Sequence, residues 1–319
     1  MINSLSYRHM YRARLLLAIL GMLIFTAPAY AQVFADDNAK AFRKTVDTVT
    51  VRQFIDPVTF IGQDEAVYRL AGIDAPGLYD PDPPPWIATA TAHLNQTYKG
   101  KTFLLYLPRT AVNRVNRLGQ SLVHAVHKSD KIWIQGNLVQ SGQARVFPTD
   151  ASPELAEALY TLEQGAIARR DGLWAVPENR ILTPDTASQA TGRVGVITGK
   201  IVGVSQQKTM LYVNFGQDWR EDLTLGLPTR LRQALAKKNI DPKTWVGKDV
   251  TVRGYVEQYY GPYINLITPA QLTFIRTDAP PADPSVKPFG PKQSVAGGLQ
   301  QLIITPTPTE AESKDAPQP

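Results

Sequence analysis

The sequence predicts a mainly β protein, with a few helices, built as two small barrels in tandem. Three observations lead there. Apolar and polar residues alternate in TVDTVTVRQFI and EAVYRLAGI, the period-two pattern of half-buried strands. Residues 192–276 read as three strands, a helix and two further strands. The chain has 319 residues, too many for one small module and enough for two.

The elements follow in order. Arg8, Arg12 and Arg14 form a basic leader, LLLAILGMLIF is an apolar run too short to span a bilayer comfortably, and AYA is a cleavage site. Residues 1–31 are therefore expected to be a signal peptide cut after Ala31, which would make the protein periplasmic or secreted with no integral membrane segment after cleavage. Residues 32–44 form a polar lead-in. The first domain spans 45–177. Its DPDPPP stretch must be an exposed loop, because successive prolines cannot join a helix or sheet interior. A helix is expected from about Trp86 to Tyr98, stopped by Gly100. KTFLLYL and SLVHAVH read as strands. Ser152, Pro153 and Glu154 have the chemistry of a helix start, namely a cap, a first-turn proline and an acid at the positive end of the dipole. Leu155, Leu159, Leu162 and Ala166 would form that helix's apolar face, and Arg169, Arg170 and Gly172 its end. GLW, at 172–174, closes the domain.

Residues 178–191, rich in Thr, Pro and Ser, read as a linker. In 192–276 the strands are GRVGVITGKIVGVS, KTMLYVNFG, REDLTLGL, DVTVRGYVEQ and PYINLI, with a helix at 228–238. This element order is that of an OB-type barrel. The tail, 277–319, is Pro-rich and too poor in apolar residues to offset chain entropy, so it is expected to be disordered.

There is no cysteine, which excludes thiol catalysis, thiolate metal sites and disulfides. The formal charge of +6 overstates the basicity of the folded part. Residues 32–276 carry 28 basic and 23 acidic side chains, a mild excess that permits contact with phosphate backbones but falls short of a dedicated DNA binder.

The stretch YRLAGIDAP resembles the staphylococcal-nuclease family, and so does NRLGQSLVHAVHKSDKIWIQGNLVQSGQARVF followed by GLW. The resemblance covers residues 45 to about 177 and implies an OB barrel with helices. The second domain is similar to a module that follows such domains in some exported bacterial proteins, at YVNFGQDWR and VRGYVEQYYGP. The family reaction is calcium-dependent phosphodiester hydrolysis. It requires carboxylates for the metal, a glutamate for the water and two arginines for the phosphate. By resemblance, Arg69 is the strand arginine and Asp74 a metal-binding aspartate. Ala75 replaces a threonine that offers only its carbonyl. The family glutamate falls on Gly77, the second arginine on Gln120 and the second metal aspartate on Val58. Asp56, two residues from Val58, keeps its face but displaces its carboxylate by about 6–7 Å, against a calcium–oxygen distance of about 2.4 Å. Asp80, Asp82 and Arg117 are the other substitutes within reach. Losing a general base typically costs about 10²–10⁴ in rate, and losing a charge-stabilising donor about 10²–10³.

The sequence thus points to an exported pseudo-nuclease with a binding or scaffolding role towards nucleic acid or an envelope protein. No cofactor is expected. The rival readings are an active calcium-dependent nuclease using substitute residues, with Asp74 as its metal ligand, and an envelope polysaccharide-binding protein. Arg69 and Asp74 are expected to form an ion pair in preference to retaining phosphate. His124 and His127, on opposite faces of one strand, are expected at the surface, and His93 stands alone on a helix. Nucleic-acid contacts are sought at Arg69, Arg117, Phe215, Trp219, Arg220, Arg253 and Tyr260, near Lys208, Tyr259 and Tyr263. The alternative for the aromatics is packing inside the second barrel.

Overall fold

A computed structural model of the chain describes Phe34, Asn38 and residues 40–42, 46–109, 115–149 and 152–275. The expected signal peptide, most of the lead-in and the tail lie outside the described residues. Among the described residues no helix is long and apolar enough to cross a membrane.

The first half runs β1 (Val46–Asp56), β2 (Thr59–Gly62), β3 (Val67–Leu70), β4 (Ile73–Asp74), α1 (Pro85–Tyr98), β5 (Thr102–Tyr106), β6 (Ser121–His127), α2 (Ile134–Gln140), β7 (Arg145–Val146) and α3 (Ala156–Arg169). Five strands close into a barrel in the order β1-β2-β3-β6-β5. The length of β1 makes closure possible. Its first half pairs with β5 and its second with β2, and irregularities at Val51/Gln53 and Phe54/Asp56 let it bend between them. Only β3 and β6 run parallel. The proline pair Pro84–Pro85 starts α1, and Trp86, Ile87, Ala90, Leu94 and Tyr98 bury one face. Asn95 on that helix donates to Phe54 O and accepts from Phe54 N, both at 2.8 Å, and so satisfies the backbone where β1 kinks.

Helix α3 does not begin at Ser152. Ser152 is buried, its Oγ 3.2 Å from Thr149 Oγ1, and Glu154 accepts from the Arg109 backbone N–H instead of serving the helix dipole. Leu155, at φ 60°, then reverses the chain, and the helix starts at Ala156. The expected surface position of His124 is also corrected. This side chain is fully buried between Phe42 and Trp133, with ring centroids 4.7 and 5.8 Å away. The lead-in segment, through Phe34 and Phe42, is what covers it. His127 does lie on the other face, against Tyr98 and paired with Asp130.

Residues 178–191, expected as a linker, are packed. A 3-10 turn, Pro184–Ala190, buries Ala187 and Ala190, and the Leu182 backbone N–H donates to Val196 O. The second half runs β8 (Val194–Lys200), β9 (Gly203–Gln206), β10 (Met210–Asn214), β11 (Thr224–Pro228), α4 (Thr229–Ala236), β12 (Asp249–Tyr255), β13 (Glu257–Tyr259), β14 (Gly261–Asn265) and β15 (Leu272–Phe274). The expected strands are present, and β11 and β14 run parallel. They are arranged in two sheets, β13-β14-β11-β10-β9 and β15-β12-β8. Strands β12 and β13 are separated only by Val256, so a single run of chain pairs with β8 in the smaller sheet and with β14 in the larger. A separate apolar core, including Ile197, Val213, Leu225, Trp245, Val252 and Ile264, fills the space between the sheets.

A buried ion pair joins the two halves. Glu163 on α3, with no exposed surface, accepts from Arg253 on β12, which is 2% exposed. Glu163 also accepts from the Val146 backbone N–H at 2.7 Å. The Arg253 guanidinium lies 4.7 Å over the Tyr160 ring, and the Tyr160 hydroxyl donates to Ala270 O.

Two outcomes are expected. Replacing Arg253 with methionine strands the Glu163 carboxylate in the interior and should lower unfolding free energy by about 3–5 kcal/mol in urea denaturation. An unchanged midpoint would contradict the pairing. Burial holds the His124 imidazole down to about 3. A depressed histidine contributes stability that is complete above its unfolded value near 6.5 and is lost as pH falls from there towards 3. The loss should be about 1.4 kcal/mol per pH unit. Melting curves from pH 7 to pH 4 should therefore fall more steeply for the wild type than for His124→Leu.

Candidate functional site

Strand β3 carries Arg69 and β4 carries Asp74, joined by the short turn at Ala71 and Gly72. Arg69 is mostly covered, its side chain 13% exposed. Its Nη1 donates to Thr59 Oγ1 and to Tyr79 Oη, both at 3.2 Å, and lies 3.9 Å from Asp56 Oδ1. Its Nη2 lies 3.8 Å from Asp74 Oδ1. The shorter contact to Asp74 comes from elsewhere. Arg145 sits directly opposite it in the β4–β7 ladder and donates from Nη2 to Asp74 Oδ2 at 3.0 Å. Arg145 is 6% exposed, and its Nη1 donates to Val194 O at the start of β8. Burial pushes the Arg145 guanidinium down and Asp74 pulls it back up. The expected Arg69–Asp74 pair is therefore the outer member of a set in which Arg145 is the nearer partner. Sequence reading missed Arg145. The one available signal was a single charge in an otherwise apolar ARVF run.

Each position onto which the resemblance placed one of the family's other charged groups has a local structural role. Val58 has no exposed surface and belongs to the barrel core. Its backbone N–H donates to Asp56 Oδ1 at 2.8 Å, so that carboxylate is turned to its own chain. Burial is the main cause that raises the Asp56 carboxyl above its usual range, opposed by that hydrogen bond, by Thr59 and by Arg69. Gly77 has φ 79°, in the left-handed region, and a Cβ there would meet the Pro84 ring at 2.7 Å. Gln120 Oε1 accepts from Asn116 Nδ2 at 2.7 Å, while Asn116 Oδ1 accepts from the backbone of Leu118 and Gln120. Of the substitutes, Asp80, Asp82 and Arg117 are exposed, and the group that reaches Arg69 from the loop after Gly77 is Tyr79. Among the described residues no group of three or more His, Asp or Glu side chains is placed to hold a metal ion.

The nucleic-acid candidates separate cleanly. Arg253 and Phe215 are corrected: the first is buried in the Glu163 pair, and the second is 7% exposed inside the second core. Trp219 and Tyr260 are exposed, with ring centroids 5.1 Å apart, and Arg220 lies 4.8 Å over the Trp219 ring. Tyr259 extends this cluster, 5.5 Å from Tyr260.

A scan against family models matches residues 67–176 to the staphylococcal nuclease homologue family. This part of the chain is a staphylococcal-nuclease-like domain. The match begins on β3 and ends just past GLW, so Arg69, Asp74, Gly77 and Gln120 all lie within it, and the closed barrel is the OB-type fold the resemblance implied. No curated protein gives a significant match to the chain.

Gly77→Glu, which would supply the family glutamate, is expected to lower stability by about 1–3 kcal/mol through left-handed strain and collision with Pro84. Even the triple variant with Val58→Asp and Gln120→Arg should not cleave DNA in a calcium assay. Robust cleavage by that variant would show that the loop tolerates the glutamate.

Proposed function

We propose that this protein is an exported pseudo-nuclease: a staphylococcal-nuclease-like domain that no longer hydrolyses phosphodiesters and works by binding nucleic acid or an envelope partner. The observation that carries this reading is the engagement of Asp74. Its two oxygens face two guanidiniums, at 3.0 Å from Arg145 and 3.8 Å from Arg69. Calcium takes six to eight oxygen ligands. Here the second family ligand is a core valine, and two positive charges stand beside the one remaining carboxylate. The residues present do not fit the metal, and no hydrolytic step is assigned to them. With no glutamate at Gly77 water activation lacks its base, and with no second arginine at Gln120 Arg69 alone is left for the developing charge.

Support for the binding half comes from the exposed Trp219, Tyr260 and Arg220. Base stacking on such rings is worth about 1–3 kcal/mol per base and tolerates any sequence.

Incubating the purified chain with calcium and heat-denatured DNA or RNA is expected to yield no cleavage. Asp74→Ala should instead lower stability by about 3 kcal/mol, because it leaves the Arg145 charge buried without a partner. Calcium-dependent cleavage that disappears in Asp74→Ala would overturn the proposal. Salt-sensitive retention of single-stranded DNA, weakened by Trp219→Ala and Tyr260→Ala, would favour nucleic acid over an envelope partner.

A further inference from the structure

The segment that joins the two cores encloses a cleft of about 270 Å³, lined by Pro177, Glu178, Arg180, Leu182, Gln189 and Arg193. A narrower crevice shares four of these residues and reaches Arg145. Gln189 holds both arginines of the cleft. Its Oε1 accepts from Arg180 Nη2 at 2.6 Å, and its backbone carbonyl accepts from Arg193 Nη2 at 2.9 Å. The Glu178 carbonyl accepts from Arg193 Nη1 at 2.8 Å. All three acceptors are neutral. Among the described residues neither guanidinium lies within ion-pair distance of a carboxylate, so two like charges are fixed on one glutamine with no counter-charge between them. Arg180 uses one of its five N–H donors in this way and Arg193 two, which leaves the remainder available. At the inner end, Arg145 Nε is buried and has no hydrogen-bond partner.

We propose that this cleft binds a phosphate group, either the free anion or the phosphoryl group of a small phosphoester. The charge is right: Arg180 and Arg193 outweigh Glu178, whose side chain is exposed, while Arg145 is balanced by Asp74. The geometry favours phosphate over carboxylate. One guanidinium fork occupies both oxygens of a carboxylate, whereas a phosphate has further oxygens for the second fork. The cleft is at the small end of ligand pockets, and Pro177 and Leu182 give it apolar wall for a compact ester group. The two arginines that carry this site lie outside the Asp74 cluster, which it meets only at Arg145, so it stands whether or not the chain cleaves nucleic acid.

Isothermal titration calorimetry on the purified chain at low salt tests it, with inorganic phosphate, a nucleoside 5′-monophosphate and the unphosphorylated nucleoside as probes. Saturable binding is expected for the first two and none for the nucleoside. Tighter binding of the monophosphate than of inorganic phosphate would assign an ester, and the reverse the free anion. The double variant Arg180→Gln/Arg193→Gln alters exposed side chains, should melt within a few degrees of the wild type, and should bind about tenfold or more weakly. Glu178→Gln removes the opposing charge and should tighten binding. The proposal is overturned if neither phosphate probe binds saturably, if the double variant binds as the wild type does, or if the nucleoside binds as well as its monophosphate.

Discussion

The structure depends on the short ladder between β4 and β7, because that ladder puts Asp74 opposite Arg145. Two charges taken out of water cost several kcal/mol each unless they meet, and here they meet at 3.0 Å. The next residue on β7, Val146, gives its N–H to Glu163, and Glu163 receives Arg253 from the second sheet system. Two acid–base pairs therefore converge on two consecutive residues of one strand. Arg145 reaches onward to the carbonyl that begins β8, and Tyr160 beneath Arg253 reaches Ala270. The polar interior of the first half is thus also its attachment to the second.

The positions around Asp74 are likewise held by local structure. A vacant position can in principle be refilled by a neighbour. Here Val58 is part of the barrel packing, Gly77 holds a left-handed turn against Pro84, and Gln120 is tied into the Asn116 turn. Asp56, the nearest spare carboxylate, accepts from the Val58 backbone. Each of these positions serves a local structural task.

Legibility followed the range of the interactions. Strands β1, β3, β5 and β6 and helix α1 could be read from period and proline placement, since both signals are local, whereas the four-residue β2 was too short to show a period. The start of α3 was misplaced because Thr149 and Arg109 compete for the side chains that looked like caps. His124 looked like a surface residue because its cover is Phe42, far upstream in the chain. Phe215 and Arg253 looked like ligand contacts because aromatic and basic residues have the same composition whether buried or exposed.

By itself the sequence determined the mainly β class and the nuclease-like domain, because these are matters of residue type and short spacing. The tertiary structure decided which charges pair and which edges close. Asp74 and Arg145 are 71 residues apart, and Glu163 and Arg253 are 90 apart. The run from Asp249 to Tyr259 leaves one sheet for the other at Val256, which only the pairing with β8 and β14 reveals. Burial and partner identity are properties of packed surfaces, and no local pattern encodes them.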